Sequence, residues 1–137
     1  MYDITSAVAH YEKVLRSQLE RLDRIKAEGD FVDFNALPVL RIGVCGGDGI
    51  GPSITREAAR VLAYLLEEEI KAGKVELVEI DGLTIENRAA CGKAIPDDVM
   101  EVIKTCPVIL KGPTTTPKAG DPWPNIESAN VAISFGK

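Results

Sequence analysis

Between Val39 and Leu110 the chain alternates three short, β-branched runs with two amphipathic stretches, and a glycine-rich turn forms the first junction. The first run, Val39-Leu40-Arg41-Ile42-Gly43-Val44-Cys45, leads into Gly46-Gly47-Asp48-Gly49-Ile50-Gly51-Pro52. A short apolar run closed by glycines predicts a buried strand. Pro52 suits the first turn of a following helix, where its missing N–H costs nothing. Ile54, Ala58, Val61, Leu62, Leu65 and Leu66 give that helix an apolar stripe, and Lys71-Ala72-Gly73-Lys74 ends it with cations near the negative end of the helix dipole. Residues 75–80 alternate and predict a second strand, followed by a short helix or turn near 84–90. Ile95-Pro96-Asp97-Asp98 opens another helix, with acids where a helix N-terminus favours them, running to about Thr105. Val108-Ile109-Leu110 is the third strand. This is the alternation of an α/β fold, a mostly parallel sheet flanked by helices.

Residues 3–28 stand apart from that alternation. Val8, Tyr11, Leu15, Leu19, Leu22 and Ile25 recur at steps of three and four, so one amphipathic helix is expected, with Gly29 as its stop. The spacing is close to a heptad seam, which leaves two readings open: a helix packed on its own domain, or a helix that meets a partner. Residues 31–38 then form a connecting loop with apolar anchors. The expected domains are a helix-and-loop segment, 1–38, and a partial α/β domain, 39–137.

With 137 residues, the chain is long enough for one domain that buries somewhat over ~60% of its unfolded surface. A net charge of −5, with carboxylates spread along the chain, argues against a nucleic-acid partner. No apolar run is long enough to span a bilayer, and residues 1–30 carry no secretory signal, so no membrane partner is expected. Cys45, Cys91 and Cys106 form no CxxC pair, and the single histidine, His10, lies far from them. Buried free thiols in a reducing cytoplasm are the expectation, and no metal site is expected within the chain.

The glycine turn fits neither common phosphate motif. A P-loop requires a lysine that is absent, and the dinucleotide fingerprint requires a third glycine where Pro52 stands. A strand-to-helix turn this rich in glycine still lets backbone N–H groups approach a ligand closely. A second polar segment, Lys111-Gly112-Pro113-Thr114-Thr115-Thr116-Pro117, follows the third strand, and Glu127-Ser128-Ala129-Asn130-Val131-Ala132 lies beyond it. Taken in order, Gly-Asp-Gly-Ile-Gly-Pro, Lys-Gly-Pro-Thr-Thr-Thr-Pro and Ser-x-Asn resemble the isocitrate/isopropylmalate dehydrogenase family, and isocitrate dehydrogenase most closely. The resemblance covers roughly residues 39–133.

The resemblance implies hydride transfer from a 2-hydroxy acid to NAD or NADP, followed by loss of CO₂ assisted by Mg²⁺ or Mn²⁺. It places Ile50, Thr115 and Thr116 at the dinucleotide, and Lys111, Ser128 and Asn130 at the substrate. A tricarboxylate requires a cation and neutral donors, which Lys111 and Ser128 supply. An apolar isopropyl group would match a serine hydroxyl poorly, so isocitrate is expected ahead of isopropylmalate; isopropylmalate, homoisocitrate and tartrate are the weaker options. Such enzymes form dimers, so a homo-oligomer or a subunit paired with a full-length dehydrogenase is also implied. The insert 118–125, with Trp123 between two prolines, is assigned no role.

The match breaks at Ser134, where the family has an arginine that grips a substrate carboxylate. Losing one charge-assisted contact costs about 1.5–3 kcal/mol. The family's catalytic tyrosine and lysine, and its metal-binding aspartates, match nothing within residues 1–137, so no catalytic residue is assigned and the isolated chain is expected to be inactive. A shifted reading frame, a truncated chain and a genuinely short binding or regulatory subunit all remain open. The choice between NAD and NADP also stays open.

Overall fold

The structure is a computed structural model that describes residues 4–28 and 32–136. It falls into two compact units that divide between Asp33 and Phe34. The first holds one helix, α1 (Ile4–Glu28), whose exposed face carries the i,i+4 pair Glu12–Arg16 at 2.6 Å. The expected stop at Gly29 and the loop's first anchor at Phe31 lie outside the described residues, as does the expected helix start at Asp3.

The second unit is built on β1 (Leu40–Cys45), β2 (Val75–Glu79) and β3 (Val108–Lys111), all parallel in the order β2-β1-β3. Leu40 pairs with Val75 and Ile42 with Val108, so β1 is the central strand. Parallel neighbours need crossovers long enough to cover the sheet, and these are supplied by α2 (Gly51–Leu65), α3 (Glu67–Lys71), α4 (Ile85–Cys91) and α5 (Asp97–Lys104). A last helix, α6 (Ala129–Gly136), follows the long loop.

Side chains alternate across β1. Gly43 and Cys45 face a core in which Ile80, Leu83, Ile95, Val99, Ile103, Cys106 and Ala129 pack together. Val99 and Ile103, one turn apart, are the face α5 presents to it. Gly43 has no alternative there, because a Cβ would stand 2.6 Å from Ile80 Cδ1 and 2.7 Å from Ile109 Cδ1.

Two features of the second helix differ from expectation. It breaks at Leu66 (φ −108°, ψ 21°), and the acidic run Glu67-Glu68-Glu69 becomes the first turn of α3, where carboxylates meet the positive end of a new helix dipole. A hydrogen bond from Lys74 N–H to Glu69 O, with Gly73 at φ 69°, then closes α3. Most of the apolar stripe also points outward: Ile54, Ala58, Val61 and Leu65 are exposed and Leu62 and Leu66 half-buried, while small residues, among them the buried Gly51 and Thr55, face the sheet. Small side chains let α2 lie close on β1, and that close approach decides the helix's rotation.

Candidate functional site

The C-terminal ends of β1 and β3 lie side by side, with Cys45 registered against Lys111. The loops leaving these ends therefore start as neighbours, and three backbone contacts stitch them together. Gly112 N–H donates to Cys45 O at 2.8 Å, and Asp48 N–H donates to Pro113 O at 2.8 Å. The third is steric. A Cβ on Gly47 would fall 2.1 Å from Pro113 O, and one on Gly112 would fall 2.1 Å from Gly46 O. These glycines are required by loop-on-loop packing within the chain. Gly49 differs: at φ +59° nothing lies within 4 Å of its Cβ position, and neighbouring Ile50 is 69% exposed. That tip of the turn is open to a ligand.

Asp48 is the organising carboxylate. Its Oδ1 accepts Ile85 N–H at 2.7 Å, in the first turn of α4, where the N-cap Thr84 Oγ1 also accepts Asn87 N–H, and its Oδ2 accepts Thr115 N–H at 2.6 Å. The Thr115 carbonyl is held from its other side. Arg88, fully buried on α4, donates from Nη1 to Thr115 O at 2.6 Å, from Nη2 to Glu127 O at 2.9 Å and from Nε to Ala94 O at 2.7 Å. A guanidinium has five N–H donors in a rigid fork, so one side chain can serve carbonyls from three segments. The same side chain thus fixes the Thr115 loop and the peptide just before Ser128.

Lys111 Nζ, half-buried, donates to Gly112 O at 2.8 Å and Thr114 Oγ1 at 3.0 Å. Burial depresses its pKa; the charge of Arg88 works the same way, while Cys45 and Asp48 oppose it. Cys45 is shifted the other way: burial raises its pKa against a hydrogen bond from Gly47 N–H. Thr115 is partly buried and Thr116 exposed. Ser128 is partly buried just ahead of α6, and its carbonyl accepts Ala132 N–H at 3.1 Å. Asn130 is exposed in the first turn of α6, where its carbonyl accepts Ser134 Oγ at 3.0 Å.

The structure therefore gathers Lys111, Thr115 and Thr116 on one loop, stitches that loop to the turn bearing Ile50, and ties it through Arg88 to the segment bearing Ser128 and Asn130. A cavity of about 560 Å³ between α2 and β2 includes none of these six; Gly46, Gly47, Thr55, Arg56, Arg60 and Asp81 are among its walls. Asp48 and Arg88 had not been singled out from the sequence. A short acceptor between two glycines was the signal for Asp48. For Arg88, it was an arginine three positions after Ile85, on the buried side of a helix.

Comparison with known proteins gives a decisive result at this point. Residues 41–133 match the model of the isocitrate/isopropylmalate dehydrogenase family. The chain belongs to that family. It is 35% identical over 83 residues to homoisocitrate dehydrogenase of Methanocaldococcus jannaschii, covering 61% of this chain and 22% of that protein. To 3-isopropylmalate dehydrogenase of Carboxydothermus hydrogenoformans it is 36% identical over 87 residues, covering 64% and 21%. To isocitrate dehydrogenase [NADP] of Staphylococcus epidermidis it is 35% identical over 91 residues, covering 64% and 20%. The chain thus spans about a fifth of the length of these curated relatives. No solved structure matches it.

Among the described residues, no group of three or more His, Cys, Asp or Glu side chains is placed to hold a metal ion, so these residues do not fit a Mg²⁺ or Mn²⁺ site and no metal step is assigned to them. An open glycine, an exposed isoleucine and a threonine pair on a fixed loop stand beyond the adjacent ends of β1 and β3. No helix among the described residues is long and apolar enough to cross a membrane.

Proposed function

We propose that this chain forms the amino-terminal part of an NAD(P)-dependent, decarboxylating dehydrogenase whose substrate is isocitrate. The observation that carries the reading is the Thr115 peptide, held at its N–H by Asp48 and at its carbonyl by Arg88. A loop fixed in this way presents side chains at constant positions, as positioning of a reacting pair requires.

Lys111 has three N–H donors and spends two within its own loop, which leaves one for a substrate carboxylate. Ser128 and Asn130 add a hydroxyl and an amide at the start of α6, where the helix dipole also favours an anion. Ile50 offers apolar surface, and Thr115 and Thr116 offer hydroxyls, to a dinucleotide. Bound nicotinamide supplies the hydride acceptor. Serine at position 128 favours a carboxylate over an isopropyl group, which supports isocitrate. By itself the chain holds no acid, base or metal ligand assigned to the oxidation, so it forms no NAD(P)H.

Titration of ¹⁵N-labelled chain with isocitrate and, separately, 3-isopropylmalate tests the reading. Isocitrate at about 10 mM, enough to reveal millimolar binding, is expected to shift the amide signals of Lys111, Ser128 and Asn130. Larger shifts with 3-isopropylmalate would overturn the choice of substrate. Silence with both would overturn the site.

A further inference from the structure

Helix α1 carries a pattern that the dehydrogenase reading does not use. Ile4, Val8, Tyr11, Leu15, Gln18, Leu22 and Ile25 follow alternating steps of four and three without a break. That is the 3.5-residue repeat of a supercoiled seam, whereas a straight helix on a globular core drifts at 3.6. The apolar members are all exposed, from 44% at Leu22 to 72% at Ile4, and Val14 and Leu19 flank them, also exposed. In proteins most of a helix's stability comes from packing such an amphipathic face.

We propose that α1 joins copies of this chain in a parallel, in-register coiled coil. Gln18 decides both the occupant and the direction. It is the one polar residue in the middle of the seam. In a parallel, in-register assembly each seam residue meets its own equivalent, so the Gln18 amides meet and each supplies the donor and acceptor the other needs. In an antiparallel pairing the two classes of seam position face each other. Gln18 would then lie against Val8, Leu15 or Leu22, with its amide buried and unpaired. A partner of different sequence would need a polar group at that one level, which a second copy supplies by symmetry. Val14 also falls opposite Leu19 of the neighbouring copy, widening the apolar contact on each side of the seam. Arg21 falls opposite Lys26 of the neighbouring copy, a like-charge contact at the solvated edge that costs little.

Sedimentation equilibrium of the full chain across a range of concentrations tests the assembly. A mass of two or more chains is expected, falling to one in the Leu15→Glu, Leu22→Glu double variant while the far-UV spectrum of the α/β unit persists. Direction is read from Gln18→Cys in a Cys91→Ser background, since Cys91 is the exposed native thiol and Cys45 and Cys106 are buried. Mild oxidation should then link position 18 of one copy to position 18 of another in most of the protein. A monomer at every concentration, an assembly that survives the double variant, or failure of the position-18 link would each overturn the proposal.

Discussion

Asp48 and Thr115 stand 67 positions apart in the chain and are joined by a 2.6 Å hydrogen bond from the Thr115 amide to the Asp48 carboxylate. The same carboxylate takes the Ile85 amide at the start of α4, and α4 in turn carries Arg88 to the Thr115 carbonyl. The peptide is thus gripped from both sides by groups that depend on one another. The Asp48→Asn variant keeps the shape but turns one acceptor into an NH₂ facing an amide donor. A loss of about 1–3 kcal/mol is expected, and hydrogen exchange at Thr115 should accelerate with it. Unchanged protection of that amide would mean the bond contributes little to the loop.

Arg88 offers a sharper test because all three of its partners are carbonyls on different segments. Arg88→Met preserves bulk and leaves three acceptors without their donor, so a loss of at least about 3 kcal/mol is expected in urea unfolding. Arg88→Lys retains the charge but lacks the fork that reaches three directions, and should recover only part of it. Full recovery by lysine would show that charge, and not geometry, is what this position supplies.

The glycines of the turn separate by what a methyl group would meet. Gly47→Ala puts a Cβ against Pro113 O and also forces a non-glycine residue into φ +70°. Gly49→Ala incurs only the left-handed backbone cost, about 1–2 kcal/mol, since nothing lies within 4 Å. The first variant should therefore be the more destabilised by a clear margin in thermal unfolding. Equal losses would mean that the 46–51 turn and the 112–113 peptides can move apart freely.

Much of this architecture is legible in residue order. The strand at 40–45, the proline-started helix after it and the Asp97-Asp98 helix start all follow from local chemistry acting within a few residues. The rotation of α2 does not, because it depends on how closely the backbone of β1 can be approached. Periodicity identifies an apolar stripe without saying which neighbour it meets. The roles of Asp48 and Arg88 are non-local for the same reason, since each joins segments that sequence separation hides. For Ser134 the residue order shows only a departure from the family pattern. The structure adds that its hydroxyl turns back onto the carbonyl of Asn130 within α6, as serine does inside helices.

The thiols should divide by burial. Cys45 and Cys106 are buried as expected, but Cys91, at the C-terminal end of α4, is exposed. One fast-reacting thiol is expected in the folded chain, with the other two reacting only on unfolding. Burial also keeps Cys45 protonated above the pH at which an ordinary thiol ionises. Raising the pH to about 9 should therefore leave Cys45 slow to react. A second fast thiol would indicate that the β1 end of the site opens in solution.

Lys111 and Cys45 titrate in neighbouring pH ranges with opposite consequences for stability. Folding lowers the Lys111 pKa, so between that value and the ordinary lysine value of about 10.4 the unfolded chain binds more protons than the folded one. Stability from this group therefore rises with pH across that window. Folding raises the Cys45 pKa, so above the ordinary cysteine value of about 8.5 the folded chain keeps a proton that the unfolded chain has lost, and stability from that group falls. Lys111→Met removes the first effect and, because the Lys111 charge opposes the rise at Cys45, enlarges the second. Relative to the parent, this variant should lose stability steadily as pH rises toward the ordinary lysine value of about 10.4, whatever its offset at neutral pH. Parallel curves for the two proteins would show that the Lys111 ammonium is as well solvated in the folded chain as in the unfolded one, and that its place at the mouth of the loop imposes no desolvation.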